Sequence, residues 1–464
     1  MSGGVPNLTN KRVLVVGLGR SGIAAAKLCA ARGARVTVTD KRDERAFGGA
    51  LAALPVDITR ELAGHRLATF TGAELIVLSP GVPEIPELVA ARAAGVTVTG
   101  EMELASRFVS STLIAITGTN GKSTTTTLVG DIMRATGRPT FVGGNLGDPL
   151  ADAIGTPAAA AGGVCVVEAS SFQLETVATF HPQVAVLLNV TADHLDRYAD
   201  MAGYAAAKAR IFAAQTASDY AVVNMDDPLS VAASDGIAAR RIGFSVARAL
   251  DVDDAGWVAG DALDLRLSGG AGVERYPGNL PALVGRHNQA NALAALLAGR
   301  LAGATAAEAE AGLRAFRALA HRMELVADTG GVAYYDDSKG TNVGAVVAAL
   351  EGFPRPVVLI AGGRDKGGDY APLAAALGRV GGAAIVIGEA ADKITAALTG
   401  VLPVERAATM DDAVAAASRA ARPGDAVVLS PACSSFDMFR DYAHRAEVFR
   451  AAVARIAAAQ EPAS

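Results

Sequence analysis

LIAITGTNGKST, residues Leu113 to Thr124, decides how the rest of the chain is read. A short apolar run, a tight Gly turn and a Lys-Ser-Thr predict a strand, a loop and a helix N-terminus. The helix is expected over Lys122 to about Arg134, where Leu128, Val129, Ile132 and Met133 repeat at helical spacing. Backbone N–H groups of such a turn converge on one spot, and the helix N-terminus adds positive potential there. That geometry suits a phosphate chain. The candidate ATP-binding residues are therefore Gly118, Thr119, Asn120, Gly121, Lys122, Ser123 and Thr124. Lys122 would reach the outer phosphates, and Ser123 or Thr124 would hold Mg²⁺. Ile116 stands where the longer Walker pattern has its first glycine, so this is the shorter GTNGKST form. An ordinary strand-to-helix turn is the plain alternative for the same letters.

A chain of 464 residues exceeds one ordinary domain and suggests about three. Half of it is hydrophobic, mostly Ala, Val and Leu, so sizeable cores are available. The net charge of −5 comes without a basic block or an acidic tail, which argues against a nucleic-acid partner. Cys29, Cys165 and Cys433 are far apart and have no CxxC spacing, as expected in a reducing compartment. The N-terminal MSGGVPNLTNKR has no apolar signal core, and no apolar run reaches the ~18 residues a spanning helix needs. A soluble cytoplasmic protein, not inserted in a membrane, is expected.

Outward from the phosphate loop, the chain reads as an α/β protein of three domains, at 1–100, 101–318 and 319–464. In the first, VLVVGLGRSG from Val13 is a strand followed by Gly17, Gly19 and Gly22 in GxGxxG spacing, then an Ala-rich helix to about Arg32. A second strand, Arg35 to Thr39, ends in Asp40, the spacing of a Rossmann dinucleotide fingerprint. A mononucleotide or nucleotide-sugar site fits the same scaffold, and about a hundred residues are few for two mononucleotide-binding halves. Lys41 and Arg42 place cations beside Asp40. Another strand, Glu74 to Leu78, runs into Ser79, Pro80 and Gly81 at the carboxyl edge of the sheet, where ligands bind.

The second unit has expected strands at Leu113–Thr117, Val164–Glu168, Val184–Val190 and Tyr220–Asn224, a mostly parallel P-loop ATPase-type sheet. Arg240 to Arg275 reads as a small antiparallel patch at the edge, and a helix starts at His287. The third unit has expected strands at Val332–Tyr335, Val357–Ala361, Ala383–Ile387 and Ala426–Leu429, a second Rossmann-like arrangement. The tail AAAQEPAS is expected to fray.

Several polar residues stand out against these apolar runs. Glu168 ends a strand at the sheet edge, and an isolated buried carboxylate is costly unless paired, so a Mg²⁺ role is expected. Asp193 and His194 also follow a strand and are candidates for the same chemistry. Lys208 sits on a helix, where composition alone makes it solvated surface. Asn288 and Asn291 share a helix face and suit either an adenine edge or helix packing. Arg322 lies at the second linker, and Lys339 and Lys366 sit in Gly-rich loops after strands.

The order of segments resembles the Mur ligase superfamily, the ATP-dependent amide ligases of peptidoglycan assembly. The resemblance rests on GTNGKST, EASSFQLE, NVTADHLDRY, YAAAKARIF, HNQANAL, AHRMELV, DDSKGTN, GGRDKGGD and SPACSSFDMF, and it covers the whole chain. The D-glutamate-adding branch matches best, through GLGRSG, SPG and DSKGTN; the DNPR tetrad of the diamino-acid-adding branch is absent. The resemblance implies that ATP converts the carboxylate of UDP-N-acetylmuramoyl-L-alanine to an acyl phosphate, which the amine of D-glutamate attacks. It implies two Mg²⁺ ions on Ser123, Glu168, His194 and Lys208, the lysine being carbamylated. Asn288 and Asn291 would lie at the adenine, and Arg322 and Asp337 near phosphates and ribose. Lys339, Thr341, Lys366, Ser435, Phe436 and Tyr442 would form the D-glutamate pocket, with Tyr442 where the family more often has Phe. Gly19, Arg20, Ser21, Asp40, Lys41, Ser79, Pro80, Gly81, Asn145 and Gln173 would hold the UDP-sugar, so no NAD is expected. A monomer whose third domain closes on ATP is implied. The alternatives are a Mur-type ligase for another amino acid, a folylpolyglutamate synthase, a nicotinamide dehydrogenase, and a nucleotide sensor without turnover.

Overall fold

Three β-sheets organise the chain, in a computed structural model that describes residues 5–460 other than 271, 281, 284 and 352. The first sheet holds β1 (Arg12–Val16), β2 (Arg35–Asp40), β3 (Thr59–Leu62), β4 (Leu75–Leu78) and β5 (Thr97–Gly100). It is all parallel in the order β3-β2-β1-β4-β5. Its strand order changes direction around β1, and the GLGRSG turn leaves the carboxyl end of that strand. This is where ligands bind open α/β sheets. Strands β3 (TREL) and β5 (TVTG) are four residues long with a single large apolar side chain each, so they escape a reading that looks for apolar runs.

The second sheet holds β6 (Thr112–Thr117), β7 (Thr140–Gly144), β8 (Val164–Glu168), β9 (Val184–Leu187), β10 (Tyr220–Asn224), β11 (Arg240–Ser245), β12 (Ala255–Ala259), β13 (Ala262–Arg266) and β14 (Val273–Pro277). Its order is β14-β13-β12-β11-β10-β9-β6-β8-β7. From β7 to β12 the pairing is parallel, and only the β12–β13 and β13–β14 pairings are antiparallel, so β13 alone is reversed. The expected patch over Arg240–Arg275 is thus a continuation of the main sheet, turning antiparallel only after β12. The third expected strand of this unit, Val184–Val190, also ends earlier than its apolar run suggests, at Leu187, because Asn189 turns its side chain onto the phosphate loop. The helix Lys122–Ala135 buries Leu128, Val129, Ile132 and Met133, the face its spacing predicted. Packed on it is the helix Ala306–Ala315, started by a Thr305–Glu308 capping box.

The third sheet holds β15 (Glu324–Thr329), β16 (Val332–Asp336), β17 (Val357–Gly362), β18 (Gly382–Ile387), β19 (Val404–Arg406) and β20 (Ala426–Leu429). Its order is β15-β16-β20-β17-β18-β19, parallel except for the β15–β16 hairpin. Its two faces bury separate clusters, one around Leu359, Leu373 and Ile394 and the other around Ile360, Val414 and Phe449. Continuous apolar strands such as VVLIAG need cover on both faces. The α/β reading with mostly parallel sheets is borne out.

Two compact units divide the described chain. One comprises Met1–Asn189, Ala205–Pro281 and Asn288–Phe316, with the first two sheets; the other comprises Val190–Tyr204, Ala282–His287 and Arg317–Ser464, with the third. Within the first unit, the buried carboxylate of Glu103 accepts from the backbone N–H groups of Ala178, Thr179 and Phe180 and from Arg107. It ties the segment after the first sheet to the second. The expected frayed tail is helical through Gln460, the end of the helix Tyr442–Gln460, and its last four residues lie outside the described chain.

Candidate active site

In the first unit the phosphate loop is held from three sides. Asn189 Oδ1 accepts from the N–H groups of Asn120 (2.8 Å) and Thr119 (3.2 Å), while its amide donates to Asn120 O at 3.0 Å. Gly121 takes φ +84°, and a Cβ there would lie 2.1 Å from Asn291 Oδ1. Only glycine fits both the left-handed turn and the approach of that amide. Lys122 Nζ donates to Gly118 O (3.0 Å) and Thr119 O (2.8 Å), so the ammonium lies across the mouth of its own loop.

Glu168 ends β8 almost fully buried. Its Oε2 accepts from Ser123 Oγ at 2.7 Å and its Oε1 from Asn145 Nδ2 at 2.6 Å. A hydroxyl, a carboxylate and an amide thus converge at the start of the loop helix, a hard-oxygen donor set that suits Mg²⁺ beside a phosphate chain. Lys208 is buried and donates to Gly118 O at 2.8 Å, which rules out the solvated-surface reading of this helix lysine. Asn291 is buried and donates to Asn288 Oδ1 at 3.2 Å, so these two amides form one polar patch beside Thr125.

At the first sheet, Gly22 lets the helix Arg20–Ala31 approach β1: a Cβ there would lie 1.9 Å from Gly17 O. The Asp40 carboxylate accepts from Leu18 N–H at 2.8 Å and from the Arg42 guanidinium at 2.8 and 3.0 Å. Burial pushes this carboxyl up, but the Arg42 and backbone hydrogen bonds outweigh it and hold it at about 2. The cation beside the acid is therefore Arg42, not Lys41, and Arg42 also lies 4.3 Å from the Phe47 ring centroid. The Asp-Lys-Arg triplet carried the signal, but spacing alone does not say which cation turns inward. Gln173 closes a capping box with Ser170, accepting from its N–H at 2.9 Å.

His194 belongs to the second unit, at φ +56° and beside the buried carboxylate of Asp193. Asp193 accepts from Lys366 Nζ at 3.1 Å and from Asn342 Nδ2 at 3.2 Å. Both cross-links tie it to loops of the third sheet, although the sequence reading set it behind His194. Arg322 lies between His321 and Met323, both at positive φ. Among the described residues, its Nε is buried without a hydrogen-bond partner, as is Asp337 Oδ1. Burial pushes the Asp337 carboxyl up to about 6, against the lowering effect of Arg322 and Ser430. Lys339 Nζ lies 5.5 Å from the Tyr442 ring centroid, while Ser435 is buried and Phe436 exposed.

Sequence reasoning missed Arg445. It is fully buried on the helix Tyr442–Gln460 and donates to Cys433 O at 3.1 Å and Ser338 O at 2.8 Å. It therefore joins the DDSKGTN and SPACSSFD loops, and burial pushes its guanidinium down to about 10. His321, Glu324 and Asp336 also converge in a metal-like group, but Arg450 occupies it through ion pairs to both carboxylates.

Comparison with known proteins follows the same order of segments. The Mur ligase MurD-like N-terminal domain matches residues 11–100, the Mur ligase middle domain 116–299, and the Mur ligase glutamate ligase domain 321–433. The chain belongs to the Mur ligase family. Curated Mur ligases extend that match along the whole chain. One from Anaeromyxobacter dehalogenans is 50% identical over 457 residues, covering 96% of this chain and 98% of its own. One from Geotalea uraniireducens is 49% identical over 455 residues, with the same coverage. Both are named UDP-N-acetylmuramoylalanine--D-glutamate ligase. The solved pseudomurein peptide ligase type C from Methanothermus fervidus shares the fold, with TM-score 0.61 at 18% identity over 96% of this chain and all of that one. Among the described residues, no helix of this Mur ligase is long and apolar enough to cross a membrane.

Proposed function

We propose that this Mur ligase joins D-glutamate to UDP-N-acetylmuramoyl-L-alanine at the expense of ATP, in peptidoglycan precursor synthesis. The observation that carries this is the near full-length match, at about half identity, to relatives of that one activity. In this reading Lys122 and the Mg²⁺ that Ser123 and Glu168 would hold offset the repulsion that arises when an anionic carboxylate attacks a polyanion.

A substrate carboxylate oxygen attacks the terminal phosphorus of ATP and ADP leaves, giving an acyl phosphate. The amine of D-glutamate then attacks the acyl carbon, loses a proton, and phosphate departs with its C–O bond electrons. We assign Lys122 to neutralise charge on the transferring phosphoryl group. Ser123, Glu168, His194 and a carbamylated Lys208 are assigned to two Mg²⁺ ions, which would screen the phosphates when bound. Carbamylation would replace the Lys208 ammonium with an anionic oxygen ligand.

By the same family correspondence, residues 1–100 take the UDP-sugar through Gly19, Arg20, Ser21, Asp40, Lys41, Ser79, Pro80 and Gly81, helped by Asn145 and Gln173. Residues 101–318 take ATP through Gly118 to Thr124 with Asn288 and Asn291. Residues 319–464 contribute Arg322 and Asp337 toward the nucleotide. They also contribute Lys339, Thr341, Lys366, Ser435, Phe436 and Tyr442 toward D-glutamate, whose two carboxylates need cations. A cytoplasmic monomer is the proposed working form, and the three buried free cysteines suit that compartment.

Phosphate release from ATP, measured with UDP-N-acetylmuramoyl-L-alanine and a panel of amino acids, tests the assignment. Release driven by D-glutamate alone, with an amide product, is expected. Release driven by L-alanine or a diamino acid would place the enzyme elsewhere in the family.

A further inference from the structure

We propose that Asp148 is a built-in counter-ion for Arg20, which the diphosphate of the nucleotide-sugar must displace to bind. The inference rests on the nucleotide-sugar reading of the GLGRSG loop and adds how that site is charged before substrate arrives.

Arg20 is the first residue of the helix Arg20–Ala31, and side chains there lean back toward the helix N-terminus. Its guanidinium is thus carried to the end of the helix where the glycine loop would receive an anion. That end is not neutralised locally. Gly19 provides no side-chain cap, and the first turn has no acidic residue. Instead the neutralising charge comes from the loop after β7 of the next sheet: Arg20 Nη2 lies 2.9 Å from Asp148 Oδ1.

Asp148 is held in place by its backbone, since its carbonyl accepts from Gly144 N–H at 2.7 Å. The same short loop carries Asn145, which is fixed to Glu168. Lys27 and Asp152 interact with the same cluster, so two cations on one helix face meet two acids of the GDPLAD segment.

Both partners of the Arg20–Asp148 pair are about two-thirds exposed. Exposed pairs of this kind contribute only ~0–1 kcal/mol, so the contact opens easily. A diphosphate carries more charge and accepts bidentate donation from one guanidinium, so it competes well for Arg20. Asp148 would then set the substrate's apparent affinity and its salt dependence.

The test is calorimetric titration of UDP and of uridine into the full-length enzyme, wild type and variants, at low and raised salt. Arg20→Ala should weaken UDP about tenfold and leave uridine unchanged, with a shallower salt dependence. Asp148→Asn should tighten UDP by about threefold, and adding it to Arg20→Ala should change nothing further. Unchanged melting temperatures would show the variants folded. If Asp148→Asn weakens UDP as Arg20→Ala does, the pair is a strut between loops and the inference is overturned. Indifference of UDP to both changes overturns it as well. If the wild type binds neither UDP nor uridine, the nucleotide-sugar reading itself fails and takes this inference with it.

Discussion

Glu101 carries a stability term that rises and falls with pH. It is almost wholly buried just after β5, on the helix Glu101–Ser106 that packs on the segment Leu150–Ala153. Its Oε1 accepts from Ala151 N–H at 2.7 Å, and its Oε2 has no hydrogen-bond partner among the described residues. Burial pushes the carboxyl up to about 7 from an ordinary 4.5; the Ala151 hydrogen bond opposes the rise and the nearby Asp152 adds to it. A folded-state pKa above the unfolded one gives stability that is complete below pH 4.5 and lost as pH rises through about 7. At about 1.4 kcal/mol per pH unit the whole loss is about 3 kcal/mol.

Glu101→Gln keeps the acceptor for Ala151 and puts an uncharged NH2, with two donors, where the protonated acid has one hydroxyl donor, so it stands in for the neutral form at every pH. Urea unfolding at pH 5 should show variant and wild type within about 1 kcal/mol of each other. By pH 8 the variant should be more stable by up to about 3 kcal/mol. Parallel pH dependences for the two proteins would refute the reasoning, since Glu101 would then be charged in the folded state without cost.

The other predictions concern the phosphate loop and its neighbours. Lys122→Ala should cut ATP-driven phosphate release by about 10²- to 10³-fold while calorimetry still detects UDP-sugar binding; loss of both would indicate misfolding. Lys208→Ala should abolish ligation, and a small carboxylate supplied in solution should restore part of it; a folded variant with full activity would remove the lysine's assigned role. Gly121→Ala must bear a positive φ and a Cβ against Asn291, so a stability loss of about 1–3 kcal/mol and weaker ATP binding are expected. An unchanged melting temperature and ATP affinity would show that the loop relaxes without cost.

The sequence alone determined the class of the fold and the position of the phosphate loop, because both depend on local order. Strand β6, the glycine turn and the Lys122 helix are written in twenty-odd consecutive residues, and their apolar face is the one found buried. Glu168 was legible for a related reason: an acid ending an apolar strand needs a partner, and Ser123 and Asn145 provide two. Periodicity failed where an element is short or polar, as in β3 and β5, and where a side chain is drawn out of a strand, as at Asn189. Tertiary structure alone decided which charges meet across distant segments: Lys366 with Asp193, Arg445 with the carbonyls of residues 338 and 433, Arg20 with Asp148. A lone lysine, arginine or aspartate has no periodicity. Its role is fixed by desolvation and by the partner the fold brings within about 3 Å, and only the folded chain supplies that partner.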